Sequence, residues 1–543
     1  MNPSQGVISS KRPAFAIEWK LLVFLILFMD VKLAVKAVAI LFIYILQPDF
    51  KFGFRIKDSR LPLFYVIIIW IALLNFGFYS NFSGNYLLVV FTGIMIWVTC
   101  ILAVHQLRLF VEHTDIDILH NTLLAFFVLN IAFSLLNLMI IFVDIGIRNP
   151  FLYQGQFQKY FINTGDFVKG ISADTSTTNA FINCFAVVYF LYQKKYFWVM
   201  ACMSTLLLTG SNFSYFILLL VLIMIFLFKS VKEQKSVIII CIGLLITFFS
   251  KISPQNKDYV SDNLAKFFLT NKEKPVTPQK NLLIRETPDS LLSSEERNEK
   301  IATLFLDSLA RDQLKRSGMT AKQAARIAIK RPEIPKENIH SASFQWKRDT
   351  TMFQRQLYGY IKSKIPNPNV NYGEISPGKI LAYQQSYEFF NDHRTRIITG
   401  DGIGNFSSKL AFRATGLKMA GGFPQQFIYC NPDFLNNHLN LFAHFFLKPA
   451  NTHSIIHIPG SVYDQMLTEY GILGIAAFVL YYLGFFYRYR KFLTYGLPIT
   501  FILLAFFSAD YWFEQLSVVA LFELLMFINI KEQTLYAKFV SKK

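Results

Sequence analysis

The sequence predicts an all-α fold: a polytopic transmembrane helix bundle of about twelve spans with one large, mainly helical external loop. Three observations carry this expectation. Of 543 residues, 53% are hydrophobic and only 16% charged, and the mean hydropathy is +0.36, more apolar than a soluble domain of this length usually hides. Apolar runs near the length needed to cross a hydrocarbon layer of about 30 Å recur along the chain. One long polar stretch, 251–461, interrupts them.

The basic flank and apolar run of KRPAFAIEWKLLVFLILFMD lack a small-residue cleavage pattern and read as a retained first span. Spans follow at 14–29, 33–48, 61–79, 85–105, 119–144, 177–192, 196–209, 213–228 and 236–250, then at 462–487, 494–509 and 515–530. The first two could instead form one long helix through Asp30, Lys32 and Lys36; charge favours a hairpin. Lys51, Arg55, Lys57 and Arg60, Lys194 and Lys195, Lys229, Lys232 and Lys235, Arg488, Arg490 and Lys491, and the basic tail fall in alternate loops. The positive-inside rule makes those loops cytoplasmic. Alternation then requires both termini inside and 251–461 outside. The expected organisation is a nine-span bundle at 1–250, an external cap at 251–461, and three spans with a short cytoplasmic tail at 462–543.

The cap carries 29 Lys/Arg against 18 Asp/Glu, +11 of the chain's net +19. Long loops translocate largely regardless of charge, so this does not oppose the topology. A basic surface over a membrane cavity favours anionic ligands, lipid-linked phosphates among them. The alternative is a loop resting on anionic headgroups. Within it, SSEERNEKIATLFLDSLARDQLK and TAKQAARIAIKR read as helices, with Thr320 and Gln323 as a capping box and Pro332 as a stop. Ser376 before Pro377 is the expected cap of KILAYQQSYEFF.

Several motifs carry little. Gly400, Gly402 and Gly404 in RIITGDGIGNF lack G-x-G-x-x-G spacing and predict a tight turn before a short helix. Asp115 and Asp117 resemble a metal–nucleotide pair, but an ordinary interfacial turn explains them. Asp510 and Glu514 lie beside Tyr511 and Trp512, which suit interfacial anchoring. Cys100, Cys184, Cys202 and Cys241 lie in apolar runs and Cys430 in the cap, which provides no disulfide framework or zinc spacing. No metal, cofactor or nucleic-acid signature is present.

The richest stretch is 453–474, HSIIHIPGSVYDQMLTEYGILG. With RIITGDGIGNF and LLLTGSN it resembles the O-antigen polymerase and O-antigen ligase superfamily of bacterial envelope proteins. His453 or His457, Tyr463, Glu469 and GILG match the family's loop histidine, aromatic, glutamate and helix start. Twelve spans with the large loop after the ninth is also the family layout. Two departures stand out: Asn212 follows Gly210-Ser211 where the family has arginine, and Ile-Pro-Gly follows His457 where an asparagine usually abuts the histidine. The loop is longer too, by about the 255–345 stretch.

The resemblance implies a bacterial inner-membrane glycosyltransferase of lipopolysaccharide biosynthesis. Such an enzyme moves an undecaprenyl-pyrophosphate-linked glycan to a hydroxyl, on another lipid-linked repeat in polymerases and on lipid A core in ligases. Its partners are that lipid-linked donor, the glycan or lipid A core acceptor, membrane lipids and other polysaccharide-assembly proteins. The leaving group needs cations rather than a metal. Arginine's planar fork suits phosphate, which selects Arg394, Arg396 and Arg413, each also readable as a solvated loop charge. The acceptor hydroxyl needs a base, which selects His453 and His457. Glu469, Tyr463 and Asn212 complete the expected substrate-binding set, with Glu469 sharing a helix face with Gln465 and positioning the site. Polymerase is favoured over lipid A core ligase and protein O-glycosyl ligase. A polysaccharide or ion transporter is the reading from another class, because twelve-span bundles are common among carriers.

Overall fold

Asp30 closes the first helix: Lys32 N–H donates to Asp30 Oδ1 at 2.7 Å, and the chain folds back from α1 (Trp19–Met29) to α2 (Leu33–Leu46). The structure, a computed structural model, describes residues 15–56, 58–79, 83–145, 168–228, 230–248, 377–416, 422–446 and 455–540. All of these belong to one unit built from Met1–Asn263 and Asn338–Lys543. Next come α3 (Phe64–Tyr79), α4 (Gly84–His113), α5 (Ile116–Ile145), α6 (Ser176–Tyr192), α7 (Tyr196–Leu208), α8 (Asn212–Phe228) and α9 (Lys232–Thr247). The 377–446 segment supplies α10 (Gly378–Asp392), α11 (Lys409–Ala414) and α12 (Asn440–Phe446). The chain ends with α13 (Val462–Ala477), α14 (Gly496–Phe506), a short α15 (Trp512–Gln515) and α16 (Ser517–Val540).

No strand occurs among the described residues. Among the described residues three helices, Gly84–His113, Ile116–Val143 and Val462–Tyr487, are long and apolar enough to cross a membrane, and six shorter apolar helices accompany them. Ile45, Phe78, Val143 and Phe228 are exposed on the outside, whereas Asn130 and Asn179 are buried and bonded to each other at 2.9 Å. Without water to satisfy them, polar groups gain by turning inward.

The abundance of phenylalanine is spent on the core. Phe513 lies within 5.1–6.1 Å, centroid to centroid, of Phe64, Trp97, Phe478, Tyr482 and Phe507, in offset and edge-on arrangements that favour aromatic contact. α16 runs through the centre. Every residue from Ser517 to Ile530 is buried, against α1, α4, α5, α6 and α14, so Glu523 and Asn529 sit inside the protein.

Several expectations meet the structure here. Pro377, not Ser376, occupies the N-cap of α10, and Ser376 lies outside the described residues, as do Thr320, Gln323, Pro332 and the 255–345 stretch. Asp115 and Asp117 flank the tight turn between α4 and α5. Tyr511 and Trp512 are corrected from interfacial anchors to core residues: both are buried, and Trp512 Nε1–H donates to Phe506 O at 2.6 Å. None of the five cysteines forms a disulfide among the described residues, and four of them are buried.

Candidate active site at the junction of α13 with the 377–446 segment

The site begins with a break in α13. Gly471 adopts φ 67°, ψ −162° inside the helix, the positive-φ region that favours glycine. The break leaves Thr468 O and Glu469 O unused by the helix, and the glycine turn takes them: Asp401 N–H donates to the first at 2.7 Å and Gly402 N–H to the second at 3.1 Å. Leu473 N–H donates back to Ile398 O at 3.1 Å. Gly400 (φ 80°) packs so closely on the Glu469 backbone that a Cβ there would collide, and Gly471 does the same to Ile398. Asn75 of α3 clamps the turn through Gly400 O at 2.5 Å. α11 follows directly, capped by Ser408, whose Oγ accepts Ala411 N–H at 3.0 Å.

This docking gathers a buried polar group on one face of α13. Asp464 Oδ1 accepts Ser386 O–H at 2.6 Å. Its Oδ2 accepts Ser407 O–H at 2.8 Å and lies 2.6 Å from His438 Nε2. The His438 ring packs edge-on against Phe406, and its Nδ1 makes no hydrogen bond among the described residues. Glu469 Oε1 accepts Phe406 N–H at 3.4 Å, and Ser408 and the Gly404 backbone bear on the same carboxylate. Glu514, in the turn between α14 and α16, accepts Leu410 N–H at 2.7 Å and the Gln465 amide. Burial pushes the Glu514 carboxyl up to about 7, with Arg413 and Lys409 pulling against it. The buried Lys36 ammonium, bonded to Phe28 O at 2.5 Å and Ser517 Oγ at 2.6 Å, lies in the field of Asp174 and Asp30 and, more weakly, of Lys409 and Arg413.

Of the residues expected from sequence, Glu469, Arg396 and Arg413 converge on the glycine turn and α11. Arg396 pairs with Asp401, with Asp433 at 3.9 Å. Arg394 is exposed at the end of α10. Tyr463 O–H donates to Leu504 O at 2.7 Å and ties α13 to α14. Asn212 opens α8 beyond the Gly210 turn. His457 is stacked on Phe445 at 4.3 Å, its Nδ1 accepting Gly378 N–H at 3.2 Å, which fastens α10 and α12 to the start of α13. His453 lies outside the described residues.

Sequence reasoning missed His438, Asp464 and Lys36. Asp464 reads as an ordinary acidic residue in a first helical turn, and His438 sits in the Asn-rich NPDFLNNHLN, where no spacing links it to a residue 26 positions away. The one usable signal was that Asp464 and Thr468 repeat at i and i+4 beside Gln465 and Glu469, giving a broad polar face to an otherwise apolar span.

Comparison with known proteins finds nothing. No family model, curated protein or solved structure matches the chain. Its chemistry is therefore argued from these residues.

Proposed function

We propose that this chain is a membrane-embedded glycosyltransferase that moves a glycan from an undecaprenyl-pyrophosphate carrier to an acceptor hydroxyl, acting as a polymerase of surface polysaccharide. In this reading it spans the bacterial inner membrane about twelve times, with both termini cytoplasmic and 251–461 periplasmic. The observation that carries the chemistry is the buried His438–Asp464 pair, with His438 Nδ1 making no hydrogen bond among the described residues. Asp464 accepts from Nε2–H and so presents Nδ1 as a lone-pair acceptor, the division of labour of an Asp-oriented histidine base.

In the reaction the acceptor oxygen attacks the anomeric carbon, the carbon–oxygen bond to the pyrophosphate breaks, and the carrier pyrophosphate leaves with the electron pair. The acceptor proton passes to His438 Nδ1. Lys36, Lys409 and Arg413 supply the positive field for the leaving group, in a site poor in water where such charges act most strongly. Glu469 orients the acceptor.

Alanine at His438 and asparagine at Asp464 are expected to lower chain extension about 10²- to 10⁴-fold, read as loss of the polysaccharide ladder on a gel. His453→Ala and His457→Ala belong in the same series. A wild-type ladder from His438→Ala, with loss in His453→Ala, would move the base back to the loop histidine. Ligation to lipid A core or protein uses the same residues. The transporter reading draws on the broken α13, since carriers often bind at discontinuous helices; retained lipid-linked glycan transfer by purified protein separates the two.

A further inference from the structure

The loop joining α2 to α3, QPDFKFGFRIKDSR, is polar and basic, yet it leaves Ile56 91% and Phe50 67% exposed. It is nonetheless held in place. His105 Nε2–H of α4 donates to Lys51 O at 3.3 Å, Arg60 Nη1–H to the same carbonyl at 2.7 Å, and Gln106 Nε2–H to Gln47 O at 3.3 Å. The Phe52 ring packs 4.5 Å from that of His105, and Gly53 (φ 65°) turns the chain so that Arg60 N–H reaches Gly53 O at 3.1 Å. The backbone is thus fixed while the Phe50 and Ile56 side chains stay outside.

A second loop lies against the first. Arg488, just beyond the Val462–Tyr487 helix, donates from Nη2 to Ser59 O at 2.6 Å. Its guanidinium sits 4.4 Å from the Phe485 ring, and that of Arg490 sits 4.6 Å from the Tyr487 ring, contacts that hold a cation over an aromatic face. Both loops stand at the ends of helices long and apolar enough to cross a membrane: Val462–Tyr487 runs into the second, and Gly84–His113 meets the first through Glu112, which pairs with Arg60. Together the loops expose Lys51, Arg55, Arg488, Arg490 and Lys491, against two acids, Asp49 and Asp58. Water favours the cations but not Ile56 and Phe50 beside them; the headgroup layer of a bilayer accommodates both. We propose that these two loops form a docking surface for an anionic phospholipid, whose phosphate is bound by the exposed arginines and lysines and whose apolar part packs on Ile56 and Phe50. This proposal is independent of the transfer reaction.

The test uses the full chain in detergent, titrated with dioleoylphosphatidylglycerol or dioleoylphosphatidylcholine, with bound lipid counted by native mass spectrometry. Phosphatidylglycerol is expected to bind the more tightly of the two. Arg55→Gln and Arg490→Gln are each expected to weaken that binding about fivefold, and Ile56→Ser to weaken it as well. Lys232→Gln, which removes an exposed cation at the start of α9, is the control and should leave it unchanged. All four side chains are exposed, so each variant is expected to fold. Equal binding of the two lipids, or a loss in Lys232→Gln as large as in the loop variants, overturns the proposal. Displacement of the bound phosphatidylglycerol by inorganic phosphate alone would assign the patch to a soluble anion and overturns it too.

Discussion

At Glu514, burial and two nearby cations oppose each other, and burial prevails, with the carboxyl at about 7 against an ordinary 4.5. The folded state therefore holds a proton that the unfolded chain releases between those values. The stability this contributes is fully present below about 4.5 and is lost as pH rises through about 7. Lys379 runs the other way. Its ammonium, bonded to Gly460 O and to Ala509 O at 3.2 Å, is brought by burial from 10.5 to about 8, so its contribution grows as pH rises from about 8 to 10.5. Thermal midpoints in detergent are expected to fall between pH 5 and about 7, and Glu514→Gln should flatten that limb by on the order of 3 kcal/mol. An unchanged limb in Glu514→Gln would place the titrating group elsewhere. None of this was legible in SADYWFEQ, because a pKa depends on which groups the fold brings near, and Leu410 and Gln465 are far away in sequence.

α13 shows how an element can be recognised in sequence and still be mistaken in shape. Its apolar run was readable, and Ser461 occupies its N-cap, with Oγ bonded to Phe507 O at 3.2 Å and not to its own helix. Gly471 breaks the helix so that the glycine turn can bind its freed carbonyls. That turn, by contrast, was readable as a tight bend before a short helix, since three glycines at alternate positions suit few other conformations. Gly471→Ala is expected to strain the break and drive its Cβ into Ile398, releasing the 377–446 segment and abolishing the ladder. Gly243→Ala, in the open face of α9 where a Cβ meets nothing within 4 Å, should be neutral or stabilising by up to about 1 kcal/mol. Protease susceptibility of the 377–446 segment measures the difference.

Across the whole molecule, four buried cysteines and one partly exposed Cys430 make the proposed topology measurable without engineering. A membrane-impermeant thiol reagent is expected to label Cys430 in right-side-out vesicles and to miss it in sealed inverted ones; the reverse pattern would place the 251–461 segment in the cytoplasm. By itself the sequence determined a helical protein with apolar helices long enough to cross a membrane, and the stretch where a polar segment rejoins them, because local hydrophobicity and glycine content act through neighbouring residues. Only the tertiary structure decided which side chains meet. It paired His438 with Asp464, bonded Lys36 to Phe28 O and Ser517, turned Tyr511 and Trp512 inward, and enclosed Glu523. Those partners lie tens to hundreds of residues apart, and a polar group in a water-poor interior takes its chemistry from whatever the packing places beside it.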